Sequence, residues 1–193
     1  MDILKFTRDT LHYTASYCEE NIYKLCQDIQ SRKPELLEYF QVVFISNNNR
    51  AVPLWQQKVG QEEEHMVIWD YHVILYFEKE GSESLVYDFD TLLPFPAPAD
   101  MYAMHTFKPN SVFNKKYQHA FRLIPAEVYL QQFQSDRSHM LKNGEYIAKP
   151  PSYPAITRGM HNLDSFISMN PSSGHGTVLS NDQFFSKLFN TLD

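Results

Sequence analysis

Cysteine is scarce in this 193-residue chain. Only Cys18 and Cys26 occur, too few for a disulfide framework and outside Cys-x-x-Cys spacing, so both are read as reduced thiols. The 17 Lys and Arg form no continuous basic stripe and the formal net charge is -6, which argues against nucleic acid as a partner. No apolar run approaches the roughly 20 residues of a membrane-spanning helix. Met1 to Thr7 also lacks the basic-then-apolar order of a secretory leader. No Gly/Ser-rich or charge-rich linker interrupts the sequence, so a single domain over residues 1–193 is expected. Without a heptad pattern or a span, the expectation is a soluble monomer of the cytoplasm or nucleus, with no membrane partner.

What the chain does have is aromatic mass. Its 12 Tyr and 14 Phe supply large core anchors and the makings of an aromatic-lined pocket. Ile22, Leu25, Cys26 and Ile29 recur at the i, i+3, i+4, i+7 spacing of an amphipathic helix, and this stripe takes Cys26 into the core. Ser16-Tyr17-Cys18-Glu19 has the form of a capping box, with Ser16 as N-cap and Glu19 reaching back, and predicts a helix running to about Ser31. Cys18 then stands in the first turn, where unpaired N–H groups and the helix dipole favour a thiolate. Glu19 and Glu20 oppose this by pushing the thiol pKa upward. A base is therefore needed to take the proton.

Strand-like runs cover residues 41–46, 52–56, 66–77 and 84–90, with a turn at Asn47-Asn48-Asn49. An antiparallel sheet packed with helices, an α+β fold, is the economical arrangement. The 66–77 run contains Trp69-Asp70-Tyr71-His72-Val73, which sets a histidine inside an apolar strand. A three-residue Lys79-Glu80-Gly81 loop would pair Glu78 with Ser82, and counting back two by two sets His72 opposite Asp88. A slip of two residues would substitute Asp90. Cys18, His72 and one of these aspartates have the residue types of nucleophile, base and orienter. Zinc held by Cys18, His72 and a carboxylate is the lesser alternative, because the local ligand pairs typical of zinc are absent. His65, His139 and His175 show no partner in the sequence and read as exposed or structural.

Farther along, the proline-rich 93–98 stretch is expected to form a wall or surface crossing, and residues 125–133 a short helix opened by Pro125. Residues 135–154 read as irregular chain around an Asn143-Gly144 turn. Ser180 and Gln183 form a second capping box, and Phe184, Phe185, Leu188 and Phe189 of the helix behind it are expected to dock on the core.

The string from Trp69 to Val73 resembles the signature of the protein N-terminal glutamine amidohydrolase family. The likeness continues through Tyr17-Cys18-Glu19-Glu20-Asn21-Ile22, Val43-Phe44-Ile45-Ser46-Asn47 and the segment from Tyr87 to Pro96. It resumes at Ser135-Asp136-Arg137-Ser138-His139-Met140 and Phe166-Ile167-Ser168-Met169. The resemblance implies a fold related to papain-like and transglutaminase-like enzymes and a triad of Cys18, His72 and Asp88, selecting Asp88 over Asp90. It further implies hydrolysis of an N-terminal glutamine side chain to glutamate with loss of ammonia, with no cofactor and no metal. The implied substrates are peptides and proteins with N-terminal glutamine, on an N-end-rule degradation route. Glu19, Glu20, Tyr71, Asp70, Asp90 and Asp136 are the polar groups that sequence or motif puts near the triad, and acceptors for the substrate α-ammonium are expected among them. Two other readings stand beside this one. One is a different Cys-His-Asp enzyme, a peptidase or acyltransferase; the other is a non-catalytic binder of protein N-termini in which Cys18 is structural.

Overall fold

The structure is a computed structural model that describes residues 6–61 and 64–189; Met1 to Lys5, part of the stretch read for a leader, lie outside it. The chain opens with α1 (Cys18–Arg32), β1 (Phe40–Ser46), β2 (Val52–Leu54), β3 (Val67–Trp69), β4 (His72–Phe77) and β5 (Leu85–Tyr87). It continues through β6 (Ala97–Pro98), α2 (Ala99–Thr106), β7 (Ala120–Pro125), α3 (Ala126–Gln132), β8 (Leu141–Lys142) and β9 (Glu145–Tyr146). It closes with α4 (Leu163–Ile167), β10 (Thr177–Ser180) and α5 (Asn181–Phe189). Six strands form one antiparallel sheet in the order β10-β7-β1-β4-β5-β6, while β2 pairs with β3 and β8 with β9.

Strand side chains alternate between faces, and here both faces are covered. Val42, Phe44, Val73 and Leu75 point to the side packed by Ile22, Leu25 and Ile29 of α1, and by Tyr129 of α3. Val43, Ile45, Ile74 and Tyr76 point the other way, against Tyr102 of α2, Phe121 of β7 and Phe184 of α5. The two central strands are therefore continuous apolar runs, and α1 takes its place through the stripe that Ile22, Leu25, Cys26 and Ile29 present, each no more than 1% exposed.

Several expectations need correcting. Ser16 does not cap α1: its φ is +68°, Tyr17 occupies the N-cap position, and no side chain caps that end. Glu19 turns inward to the Tyr71 hydroxyl at 3.0 Å instead of reaching back along the helix. The 66–77 run is not one strand. At Asp70 the carboxylate accepts the Tyr71 N–H at 2.9 Å and the carbonyl accepts the Ser46 hydroxyl at 2.7 Å, which turns the chain from β3 into a different sheet at β4. The β4–β5 register pairs Phe77 with Leu85, two residues away from the expected pairing, and the Glu78 N–H extends the β1–β4 ladder by donating to the Tyr39 carbonyl at 3.0 Å. The second capping box does form, with Ser180 N–H to Gln183 Oε1 at 2.8 Å and Gln183 N–H to Ser180 Oγ at 3.3 Å. Behind it Phe184 and Leu188 are buried, but Phe189, the last residue of α5, is 42% exposed and stacks on Phe185.

Three contacts fix the periphery. Arg122 of β7, fully buried, donates to the carbonyls of Ser168, Asn170 and His175 at 2.7, 2.8 and 2.9 Å and so holds the loop leading into β10. Pro98 ends the short edge strand β6, and the next N–H, that of Ala99, turns inward to the Ser84 carbonyl at 2.9 Å. Arg137 forms a two-pronged ion pair with Glu20 of α1 at 2.9 and 2.8 Å, with side chains 7% and 0% exposed. Removing one partner of such a pair strands a buried charge. Arg137→Met is therefore expected to destabilise the fold by about 3–5 kcal/mol in urea unfolding, and adding Glu20→Leu to recover a large part of the loss.

Candidate active site

The first turn of α1 and the start of β4 deliver Cys18 and His72 to one cavity of about 350 Å³, whose walls also include Trp69, Asp70, Tyr71, Asp90 and His139. The His72 Nε2 lies 2.9 Å from Asp88 Oδ1, with both side chains essentially without exposed surface. The Tyr102 hydroxyl donates to Asp88 Oδ2 at 2.8 Å, and the Asp90 N–H donates to Oδ1 at 2.9 Å. With Nε2 committed to the carboxylate, Nδ1 is the nitrogen left to accept a proton; it is buried and has no hydrogen-bond partner. The Trp69 ring stacks on the imidazole at 5.4 Å and 18°, fixing its plane.

The expected pairing of His72 with Asp88 is thus present, but by another route. Continuing the observed ladder would set Asp90 opposite His72, and Asp88, one residue past β5, reaches the imidazole diagonally. Diagonal neighbours on one sheet face are within reach of long side chains, and this allows a register error of two to leave the contact intact.

The electrostatics follow from burial. Desolvation depresses the His72 imidazolium, but the charge and hydrogen bond of Asp88, with Asp90 adding, outweigh it and move the pKa upward from 6.5. Burial alone would raise Asp88, yet His72, the Asp90 N–H and the Tyr102 hydroxyl hold it below its ordinary range. The Cys18 thiol is pushed well up, by burial first and then by Glu19, Asp90 and Asp70, against a single lowering contact from the Val73 backbone. Its sulfur lies 3.6 Å from Glu19 Oε2.

Of the expected substrate contacts, Asp70, Tyr71 and Asp90 line the cavity. Asp70 is exposed, with one oxygen engaged by the Tyr71 N–H. Asp90 is buried, accepts the Tyr13 hydroxyl at 2.6 Å, and is raised by burial and by Asp88. Glu19 has no exposed surface and stands beside Cys18, with Oε2 3.6 Å from its sulfur, and Glu20 is consumed by Arg137. Asp136 does not join them: it is exposed outside the cavity, held by the Ser138 N–H at 2.9 Å and by His161 at 3.1 Å. His139 was read as exposed or structural, yet it lines the cavity with Nε2 3.4 Å from Glu19 Oε1. Tyr102 was missed altogether, since nothing in its neighbourhood marks a partner for Asp88. His72, Asp88 and Asp90 place ligand atoms within 4.8 Å of one another, but Cys18 does not join that group and each member is already committed to a protein donor or acceptor.

A thiol and a carboxylate-held imidazole on one cavity, carried by an antiparallel α+β frame, are residue types that one class of hydrolases uses. Residues 13–188 match the family described as N-terminal glutamine amidase. The chain is 44% identical over 175 residues to "Protein N-terminal glutamine amidohydrolase" of Drosophila mojavensis, covering 89% of this chain and 85% of that protein. The protein of the same name from Drosophila melanogaster is 42% identical over 180 residues, covering 92% and 88%. This chain belongs to the N-terminal glutamine amidase family.

Because the Cys18 thiol is raised, iodoacetamide is expected to alkylate it at least roughly tenfold more slowly than a free cysteine near neutral pH, with a rate still rising past about pH 9. Mass spectrometry of the Cys18 peptide reads this directly, and a plateau near neutral pH would show a preformed thiolate instead.

Proposed function

We propose that this protein hydrolyses the side-chain amide of N-terminal glutamine in peptides and proteins, with Cys18 as nucleophile, His72 as base and then acid, and Asp88 as orienter. The observation that carries the reading is the His72–Asp88 pair with its open Nδ1 on the cavity that Cys18 lines. Family membership and the names of the relatives supply the substrate.

The Cys18 S–H proton passes to His72 Nδ1 as sulfur bonds to the carboxamide carbon, so no free thiolate accumulates in the empty site. The oxygen of the tetrahedral adduct takes its charge toward the first-turn amides of α1, the Cys18 N–H among them. Collapse of the adduct breaks the C–N bond, and the imidazolium returns its proton to the departing nitrogen as ammonia, leaving a thioester. Water then gives a proton to His72 and its oxygen to the acyl carbon, and reprotonated Cys18 leaves glutamate behind. Asp88 keeps Nε2 protonated so that Nδ1 remains the working nitrogen.

The α-ammonium of the substrate is met by Asp70, the exposed carboxylate on the cavity with no cationic partner among the described residues; Asp90 is buried and holds the Tyr13 hydroxyl, and Asp164 is taken by Arg50 at 2.8 Å. The helix-start thiol packed on an antiparallel sheet that carries the histidine also supports kinship with papain-like and transglutaminase-like enzymes. The glutamate product is a substrate for arginylation, which suits a step in N-end-rule degradation.

The test is ammonia release and product mass for a short peptide with free N-terminal glutamine, beside its N-acetylated and asparagine versions. Deamidation of the first alone is expected, with the asparagine peptide slower by about 10²-fold because one missing methylene misplaces the amide. Chain cleavage or acyl transfer to an added amine would instead favour a peptidase or acyltransferase. Cys18→Ala is expected to lose at least ~10³-fold in turnover. Asp70→Asn is expected to raise KM by roughly tenfold with a smaller change in kcat, the scale of one charge-assisted hydrogen bond. In the pH profile of kcat/KM the base must be neutral, so activity falls in acid with its midpoint above 6.5, the direction in which His72 is shifted. Asp88→Asn removes the larger of the two carboxylate effects that raise His72 and leaves desolvation opposed by Asp90 alone, so the limb moves to lower pH while the rate drops by about 10³–10⁴-fold.

A further inference from the structure

Glu19 is a carboxylate without exposed surface in the turn that carries the nucleophile. One of its oxygens is accounted for: Oε2 accepts the Tyr71 hydroxyl at 3.0 Å and stands 3.6 Å from Cys18 Sγ. The other is not. Oε1 is buried and has no hydrogen-bond partner; His139 Nε2 lies 3.4 Å away but outside hydrogen-bond geometry, and both His139 nitrogens are likewise buried and without hydrogen-bond partners. The buried Arg137 guanidinium is occupied by Glu20. Cys18, Tyr71 and His139, whose side chains approach the Glu19 carboxylate, all line the cavity. A buried acceptor left open in this way is an unsatisfied polar group that a ligand's donors would complete.

We propose that Glu19 reads the nitrogen of the substrate carboxamide: Oε1 accepts an N–H of the bound glutamine amide and repels the carboxylate of the glutamate product. This rests on the deamidation reading above. An attacked carbon has to approach sulfur to about 3–3.5 Å. The Glu19 carboxylate stands 3.6 Å from that sulfur, so a carboxamide whose oxygen is drawn to the first-turn amides of α1 can turn its nitrogen toward Glu19. A primary amide brings two donors there, whereas glutamate brings only acceptors and a like charge. The same contact therefore selects amide over acid on entry and weakens retention of the product. It differs from the bland role of a carboxylate that merely anchors Tyr71, because only the reading role makes affinity depend on the chemistry of the ligand's side chain.

The experiment uses Cys18→Ala, which binds without turnover, and two peptides that differ only in N-terminal glutamine or glutamate, with affinities from calorimetry at neutral pH. The glutamine peptide is expected to bind at least roughly tenfold tighter, and adding Glu19→Gln is expected to abolish or invert that preference, since a neutral side chain that can donate no longer repels the acid. Equal binding of the two peptides to Cys18→Ala would overturn the proposal, as would a preference that survives Glu19→Gln. Should Glu19→Gln not fold, product inhibition of the wild-type enzyme decides: a glutamate peptide that inhibits as tightly as the glutamine peptide binds would sink it. Failure of the underlying deamidation reading shows separately, as wild-type protein that releases no ammonia from the glutamine peptide.

Discussion

A carboxylate with no exposed surface must be met by donors on every side, and Asp88 is the carboxylate around which this molecule is arranged. Leaving such a charge unpaired would cost roughly several kcal/mol, a large share of the stability of a domain this size. Its donors come from three places: the imidazole at the head of β4, the backbone two residues on, and the Tyr102 hydroxyl of α2. Since Tyr102 belongs to the cluster on the far face of the sheet from α1, the carboxylate links the two cores. Arg8 closes the remaining side, donating to the backbone carbonyls of Asp88, Thr91 and Leu93 at 3.1, 2.9 and 2.9 Å. The segment after β5 is fixed in this way although it belongs to no regular element.

The environment of the thiol follows from the same economy. A helix N-terminus contributes about 0.3–1 kcal/mol toward a negative charge, whereas full burial beside carboxylates is the larger effect and opposes it. Cys18 therefore rests as a thiol despite its place in the first turn. Under the proposed function, such a site keeps Cys18 quiet until a base and a bound electrophile are both in position.

Much of this was legible in the chain because the signals are local. The stripe of Ile22, Leu25, Cys26 and Ile29, the Asn143-Gly144 turn with both residues at positive φ, and the Ser180–Gln183 box each depend on neighbours within a few residues. What escaped was set by distant partners. Ser16 and Glu19 have the letters of a capping box, but Tyr71, 52 positions away, claims the Glu19 side chain. The β4–β5 register was misjudged by two, since the loop residues alone do not show that β5 starts only at Leu85, and the His72–Asp88 contact survived because a shift of two preserves the face. β7 went unread since Arg122 interrupts its apolar run, and the reason for that arginine is a loop some fifty residues onward. Asp136 lay beside family motif residues in sequence, yet its carboxylate serves the Ser138 turn outside the cavity.

The proline that ends β6 has a bearing on how this sheet meets other chains. Alternate backbone N–H groups of a strand point to opposite sides, and that of Ala99 points in, toward β5. The outward position is Pro98, which carries no N–H, and Pro96 stands two residues before it. That margin offers an incoming strand no amide hydrogen with which to begin a ladder. Recruitment of a foreign strand, the first step in edge-to-edge aggregation and fibril growth, is thereby denied on this side by covalent structure, independently of pH, salt or concentration.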